Sequence, residues 1–266
     1  AAVILSQSGE TADSLAALRM YKARGVPVVA IVNVVGSSIA READYCLYTH
    51  AGPEIAVAST KAYSAQIGLL YLLAILAARE KGTDEAQCRR WTAGLVEAMG
   101  QLPRALELAQ ELRGWAGGLG DAEHLFYLGR GLDYPLALEG SLKLKEISYI
   151  HSEALAAGEL KHGAIALITE GTPVIALATQ ADILPKMVSG IREVKARGAR
   201  VLVITLEGLA VEADAWDHLV TLPAAESLFA PLLLAPALQL LAAGAAVARG
   251  CDVDKPRNLA KSVTVE

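Results

Sequence analysis

The residues near the start of the chain that are best suited to chemistry are the hydroxyl side chains of the run Ser6 to Thr11 (SQSGET). The run lies between an apolar strand, Ala2 to Leu5, and the predicted start of a helix, so hydroxyl and backbone N–H groups converge where the helix dipole is positive. Such a loop suits a phosphate monoester. No Lys follows the glycine, as it would in a P-loop, which disfavours a nucleoside triphosphate. The alternative is that Ser8 or Thr11 simply caps the helix.

A second candidate group lies on a predicted helix, where Glu139, Lys143 and Glu146 are spaced at i, i+4 and i+7 and share one face. A carboxylate held beside a lysine in a partly dry cleft can be tuned to move protons at neutral pH. A solvated stripe of salt bridges would have the same spacing, and this alternative stays open.

Two histidines, His151 and His162, follow in one short polar stretch. Proton transfer by one of them and a structural role both fit, whereas metal binding is disfavoured because the stretch has no HExxH or other ligand spacing. The three cysteines are far apart and form no CxxC pair, so neither a disulfide framework nor a zinc site is indicated. We therefore expect no metal, no cofactor and a cytoplasmic location.

An internal repeat predicts the elements that position these groups. The order strand, polar loop, helix, glycine and strand occurs twice, and the tetrapeptide KARG at Lys22 to Gly25 recurs at Lys195 to Gly198, 173 residues later. Strands of β-branched residues and Leu that alternate with helices predict parallel sheets covered on both faces. We predict an α/β fold of two tandem doubly wound domains: a partial first domain at 1–82, a helical linker at 83–118, and a second domain with a C-terminal tail at 119–266.

The two copies differ in ways that bear on function. The second copy begins with a strand and a helix that have no counterpart in the first, so the sequence is expected to be part of a longer protein. The second copy also has Thr179 to Asp182 (TQAD) where the first has Ser6 to Gly9. An Asp at that place would repel an anion, so the hydroxyl-rich loop is not a requirement of the fold.

Composition excludes several classes of protein. The formal net charge is −5 with no basic run, so the positive surface that a nucleic-acid backbone needs is missing. The uncharged run from Leu228 to Ala248 is long enough to span a bilayer, but Pro231, Pro236 and Gln239 interrupt it, and a buried helix is favoured. We expect neither a nucleic-acid partner nor a membrane span.

Four segments of this sequence resemble the isomerase half of the glucosamine-6-phosphate synthases (glutamine:fructose-6-phosphate amidotransferases), which is built from two sugar-isomerase (SIS) domains. They are SQSGETADSLAAL at 6–18, EIAVASTKAY at 54–63, LGRGLDYPLALEGSLKLKEISYIHSEALAAGELKHG at 128–163 and the tail DVDKPRNLAKSVTVE. The tail is the most discriminating segment, because SIS proteins with other activities would share the sheet and the phosphate loop without it.

The resemblance implies a set of contacts with a sugar phosphate. The phosphate would be held by Ser6, Gln7, Ser8 and Thr11, and the sugar would be lined by Val57, Ser59 and Ala260. The implied substrate is fructose 6-phosphate and the implied product is glucosamine 6-phosphate.

The resemblance also implies the catalytic roles. Glu146 would move a proton between C1 and C2, with Lys143 beside the enolamine oxygen. Lys261 would form a Schiff base with the open-chain ketose, and His162 would help to open the ring, reaching in from the neighbouring subunit of a homodimer.

The glutaminase domain that accompanies this half in the family is absent from the chain, so ammonia would come from elsewhere. Two other functions stay open. One is a stand-alone SIS isomerase or deglycase acting on sugar phosphates, and the other is a non-catalytic module that senses sugar phosphates.

Overall fold

The structure is a computed structural model and describes residues 1–264. It divides into two compact units, residues 1–83 with the tail from Asp254 onward, and residues 84–253. These bounds differ from those predicted from the sequence at the tail and at the helical linker. The tail joins the first unit because the Val57 N–H donates to the Asp254 carbonyl at 2.9 Å and the Ala12 N–H donates to the Val263 carbonyl at 3.1 Å. The linker joins the second unit, where its helices pack against the last long helix.

The described part of the first unit is a parallel sheet with helices. Its elements are β1 (Ala2–Ser6), α1 (Ala12–Ala23), β2 (Val28–Val32), α2 (Ser38–Glu42), β3 (Tyr45–Tyr48) and α3 (Lys61–Glu80). The strand order is β1-β2-β3, and both pairs are parallel. Val28 and Val32 of β2 pack with Leu18 of α1 and Ile39 of α2, so burial of β-branched and Leu side chains fixes these helices on one face of the sheet.

The second unit contains a larger parallel sheet. Its strands are β4 (His124–Gly129), β5 (His151–Ala156), β6 (Pro173–Ala178), β7 (Arg200–Leu206) and β8 (His218–Leu222), in the order β5-β4-β6-β7-β8. Its helices are α4 (Glu85–Gly100), α5 (Leu102–Leu108), α6 (Gln110–Gly117), α7 (Asp133–Ser148), α8 (Leu184–Lys195) and α9 (Ala230–Ala248). All four strand pairs are parallel.

Helices cover both faces of this second sheet. Phe126 and Val174 belong to a buried cluster with Met187 and Ile191 of α8. On the other face α7 approaches so closely that a Cβ on Gly140 would lie 3.1 Å from the Tyr127 ring and 3.2 Å from Leu238 of α9. A glycine at position 140 therefore lets α7, the helix that carries the candidate carboxylates, lie directly on the sheet.

The two units repeat one plan, in which β1, α1, β2, β3 and α3 correspond to β6, α8, β7, β8 and α9. In the second unit β4 pairs with the outer edge of β6, and α7 packs along α9. In the described part of the first unit β1 is an edge strand, and no counterpart of β4 and α7 is present. The predicted fold class, a duplicated parallel α/β fold with an incomplete first sheet, is confirmed.

Two helices within residues 1–264, α3 and α9, are long and apolar enough to cross a membrane. In α9, 72% of the most apolar window is buried, as in the core helix of a soluble domain, whereas in α3 only 6% is buried. The apolar run Ile67 to Ala78 lies within α3.

Strand β5 differs from the prediction, which had treated His151 to Ala156 as part of a polar stretch. The strand is not recognisable from the sequence because a polar residue, Ser152, occupies a buried position and is only 3% exposed. Its hydroxyl lies 2.9 Å from that of Ser141 on α7 and donates to the Ser141 carbonyl at 3.0 Å. A serine pair satisfied in this way hides the alternation of apolar residues that marks a strand.

Candidate active site

The hydroxyl-rich loop lies between β1 and α1, where the carboxyl end of a parallel strand meets a helix N-terminus. The Ser6 hydroxyl accepts the Gly9 N–H at 3.0 Å and lies 3.3 Å from the Thr11 hydroxyl, while the Ser8 hydroxyl accepts the Glu10 N–H at 3.2 Å. Thr11 occupies the N-cap position of α1 without a capping hydrogen bond from its side chain. The hydroxyls therefore order the loop itself, and simple capping by Thr11 does not account for them.

A second layer of contacts fixes this loop. The Glu10 carboxylate accepts the Ser38 N–H of α2 at 2.8 Å, which holds the pKa of Glu10 below its ordinary value. The Gly9 carbonyl accepts the Ile39 N–H, and Gly9 has φ +67°. A Cβ on Gly9 would lie 2.0 Å from the Ser37 hydroxyl oxygen, so both the backbone angle and the close approach require glycine.

Asn33, at the end of β2, joins the loop to the segment that leads into α3. Its N–H donates to the Gln7 carbonyl at 3.1 Å. Its side-chain oxygen accepts from the Thr49 hydroxyl and from the Ala51 N–H, and its side-chain amide donates to the Gly52 carbonyl. Asn33 thus links the two loops, through its backbone N–H on one side and its side-chain amide on the other.

Lys261 of the tail is paired with Glu54, a residue for which the sequence alone predicts no role. The Lys261 Nζ lies 2.9 Å from Glu54 Oε2 and 3.4 Å from the Ser59 hydroxyl oxygen. The other carboxylate oxygen, Oε1, accepts the N–H groups of Thr60 and Ala62 at the start of α3. The side chain of Glu54 is 2% exposed and that of Lys261 is 26% exposed.

Burial by itself would raise the pKa of Glu54. The hydrogen bonds from Lys261 and from the two N–H groups outweigh it, so the pKa lies below its ordinary value and Glu54 is ionised at neutral pH. The motif EIAVASTKAY contains this residue, but a carboxylate that acts on a partner more than 200 residues away in sequence leaves no spacing pattern to detect.

The tail holds Lys261 from both sides. Before it, the Asp254 carbonyl accepts the Val57 N–H, and after it, the Val263 carbonyl accepts the Ala12 N–H at the first turn of α1. The hydrogen bond of the Val57 N–H is therefore made to the tail. Ala260 lies next to Lys261 and is exposed.

The carboxylate and lysine group on α7 is brought together as the helical spacing predicts. The Lys143 Nζ lies 2.5 Å from Glu146 Oε2 and 3.7 Å from Glu139 Oε1. Lys143 is 5% exposed, so this is not a solvated stripe. Burial and the neighbouring Glu146 raise the pKa of Glu139 against the opposing effect of Lys143. One buried ammonium thus faces two carboxylates, of which Glu146 is the more accessible, with 22% of its side chain exposed.

His162 ends a 3₁₀ turn, Leu160–His162, and is exposed. Its neighbour Lys161 forms an ion pair with Glu193 of α8 at 2.8 Å, which ties the turn to the second unit. The other histidine, His151, stacks edge-on against His124 at the start of β4, with ring centroids 5.7 Å apart. The two histidines that the sequence places in one stretch therefore have different surroundings.

Within residues 1–264 no cluster of three or more His, Cys, Asp or Glu side chains has the arrangement of a metal site. The chemistry available to the described residues is that of hydroxyls and N–H groups near the start of α1, a paired lysine on the tail, and a lysine with two carboxylates on α7.

Comparison with known proteins agrees with this arrangement. The SIS domain model matches residues 1–76 and 118–249. A glutamine–fructose-6-phosphate aminotransferase (isomerizing) from Clostridium tetani is 54% identical over 265 residues, which is 99% of this chain and 44% of that protein. The enzyme of the same name from Symbiobacterium thermophilum is 55% identical over the same share of each. The chain thus spans less than half the length of these curated relatives.

Solved structures give the same family. The C-terminal domain of glucosamine-fructose-6-phosphate aminotransferase from Francisella tularensis is 39% identical, with a TM-score of 0.91 over 95% of this chain and 72% of that one. A glucosamine-6-phosphate deaminase from Thermotoga maritima is 26% identical, with a TM-score of 0.77 over 98% of this chain and 74% of that one. The chain therefore belongs to the SIS domain family and, within it, to the isomerase domains of the glutamine–fructose-6-phosphate aminotransferases.

Proposed function

We propose that this chain carries out the sugar half of an aminating isomerisation, in which fructose 6-phosphate and ammonia give glucosamine 6-phosphate. The observation that carries the proposal is the pairing of Lys261 with the buried carboxylate of Glu54 in the same unit as the hydroxyl-rich loop. A lysine held at one point by an ionised acid suits imine chemistry, which a plain isomerase or a sugar sensor does not need.

Substrate binding is assigned to the first unit. The hydroxyls of Ser6, Ser8 and Thr11 and the dipole of α1 suit a dianionic phosphate, and Gln7 adds an amide. Ser59 and the backbone around Val57 and Ala260 are assigned to the sugar. His162 is assigned to ring opening, acting from the second subunit of a homodimer.

The covalent step is assigned to Lys261. Its neutral amine attacks the C2 carbonyl of the open-chain ketose, and loss of water gives the imine. Ammonia then adds to C2 and displaces the lysine amine, which leaves the sugar as an imine of ammonia. Glu54, 2.9 Å from Nζ, holds this amine in place, and the proton that Lys261 must lose before it attacks passes to solvent.

Proton transfer within the sugar is assigned to Glu146. It removes a proton from C1 of the protonated imine to give an enolamine and returns a proton to C2. The C1 hydroxyl loses its proton to solvent in that second step, which leaves an aldehyde at C1. Lys143, 2.5 Å from Glu146, is a cation suited to the developing charge on the enolamine oxygen. The ammonia is assigned to a glutaminase partner domain, and ammonium salts would replace it in a test.

Reductive trapping tests the proposal. The full chain is incubated with fructose 6-phosphate and borohydride, and intact mass is measured. We expect a mass increase equal to the sugar phosphate less one oxygen atom, mapped to Lys261, and no such adduct in Lys261→Arg. Lys255→Arg, an exposed lysine of the same tail, is the matched control and should retain the adduct. An adduct that persists in Lys261→Arg would rule out this role for the lysine.

A further inference from the structure

The second unit contains the counterpart of the hydroxyl-rich loop, and a carboxylate from another element fills it. Asp133, in the first turn of α7, is 2% exposed. Its Oδ2 accepts the Thr179 N–H at 2.8 Å, and its Oδ1 accepts the Thr179 hydroxyl and, at 3.4 Å, the side-chain amide of Gln180. Thr179 and Gln180 directly follow β6, as Gln7 and Ser8 directly follow β1.

The remaining groups of this loop are held by Ser227. The Gln180 amide donates to the Ser227 carbonyl at 3.1 Å, the Ala181 N–H donates to the Ser227 hydroxyl at 3.2 Å, and that hydroxyl donates to the Thr179 carbonyl at 2.9 Å. In the first unit the hydroxyl at the end of β1, on Ser6, contacts Gly9 and Thr11 of its own loop. The two loops thus share a place in the fold and differ in what their donors bind.

The donors around Asp133 are those that a tetrahedral oxyanion would use. A backbone N–H, a hydroxyl and an amide converge on two oxygens of one anionic group, between the N-terminal turn of α7 and the segment that opens α8. Burial raises the pKa of Asp133, against the opposing hydrogen bonds from Thr179 and Gln180. Asp182, the residue that the sequence analysis expected to repel an anion, is exposed.

We propose that Asp133 is a built-in anion that occupies a latent phosphate site in the second unit, so that the duplicated chain keeps one phosphate site, and that removing this carboxylate opens the second loop to a free oxyanion. The inference rests on the proposed phosphate-binding role of the first loop, whose donors it compares. The side chain of Asp133 excludes phosphate by occupying the volume between these donors.

The test uses the full chain with the first loop disabled by Ser6→Ala and Thr11→Ala. Asp133→Ala is added to this background, and Asp121→Ala, an exposed residue of the same unit, is the matched control. The unfolding temperature is measured with and without about 10 mM inorganic phosphate, with chloride replacing phosphate at equal ionic strength. We expect phosphate to raise the unfolding temperature of the Asp133→Ala chain by about 3 °C and that of the control by less than about 1 °C.

A folded Asp133→Ala chain that responds to phosphate no more than the control overturns the proposal. If this chain does not fold in chloride, refolding is repeated in phosphate: recovery in phosphate alone supports the proposal, and failure to recover overturns it. Phosphate binding by the first loop is tested separately, by comparing the phosphate response of the wild-type chain with that of Ser6→Ala/Thr11→Ala. An equal phosphate response of these two chains would refute the proposed function. The comparison of Asp133→Ala with its control could still be interpreted.

Discussion

Lys143 and Glu146 lie one turn apart on α7 and form an ion pair of 2.5 Å between Nζ and Oε2, while the same ammonium lies 3.7 Å from Oε1 of Glu139. The lysine is buried, whereas the side chain of Glu146 is partly exposed. A single cation therefore holds two acids, and the accessible one is suited to exchange a proton with a ligand.

Glu146→Gln is expected to lower turnover of fructose 6-phosphate and ammonium by about 10³-fold, because glutamine cannot take the proton from C1. Imine trapping at Lys261 should be unchanged, since that step does not use Glu146. The measurement is glucosamine 6-phosphate formation by mass spectrometry, with Glu153→Gln, an exposed residue of β5, as the control. Turnover within tenfold of wild type would remove Glu146 from the mechanism.

Lys143→Ala is expected to destabilise the second unit by about 3 kcal/mol at neutral pH, because it leaves two carboxylates without their cation. The effect should shrink on acidification. The pKa of Glu139 is already raised in the folded chain, so its favourable contribution is full below its ordinary pKa and is lost as pH rises through the raised value. Removing Lys143 raises the pKa of Glu139 further and therefore enlarges the loss of folding stability at neutral pH.

Urea unfolding at two pH values, about one unit above the ordinary pKa of a glutamate and near neutrality, checks this expectation. The double variant Glu139→Gln/Lys143→Ala should recover part of the lost stability at neutral pH. Equal destabilisation at both pH values would show that packing, and not charge, sets the cost.

Glu54→Gln is expected to slow imine trapping at Lys261 by about tenfold to a hundredfold, because the ion pair that holds the lysine amine in place is lost. The amide oxygen can still accept the N–H groups at the start of α3, so the unfolding free energy should change by no more than about 1 kcal/mol. The time course of adduct formation is followed by intact mass, with Glu80→Gln at the other end of α3 as the control. Equal rates in the two variants would restrict Glu54 to a structural role.

Mixing two inactive variants tests whether His162 acts across subunits. His162→Asn and Glu146→Gln are each expected to be inactive, but a mixed dimer has one site with both groups intact when the histidine comes from the partner. Random exchange of equal amounts should restore about a quarter of wild-type turnover. A mixture that stays inactive after exchange, with dimers demonstrated by light scattering, would place His162 and Glu146 of one chain at the same site.

Much of the architecture could be predicted from the sequence. The KARG repeat and the apolar strands predict parallel sheets, and the spacing of Glu139, Lys143 and Glu146 predicts their contact, because both depend on local periodicity. Strand β5 was missed because Ser152, a polar residue, fills a buried position and finds a partner in another element. Hydrogen bonding between distant residues is invisible to periodicity.

The residues of the candidate site that could not be predicted are also those whose partners are distant in sequence. Glu54 meets Lys261, and Asp133 meets Thr179, only after the chain has folded. In each case the acid alone gives no indication of its partner. The grouping of the tail with the first unit differs from the prediction for a related reason, since its attachment depends on backbone hydrogen bonds at Val57 and Ala12, which side-chain types do not encode.

The two oxygens of Glu54 have separate tasks, one at the start of α3 and one at the tail lysine. An acid at this position would therefore persist in a descendant that had lost the lysine and its chemistry, because the helix would still need its cap. Retention of the glutamate across relatives is thus a poor marker of activity, and the tail lysine is the residue to inspect when a related chain is assigned a reaction.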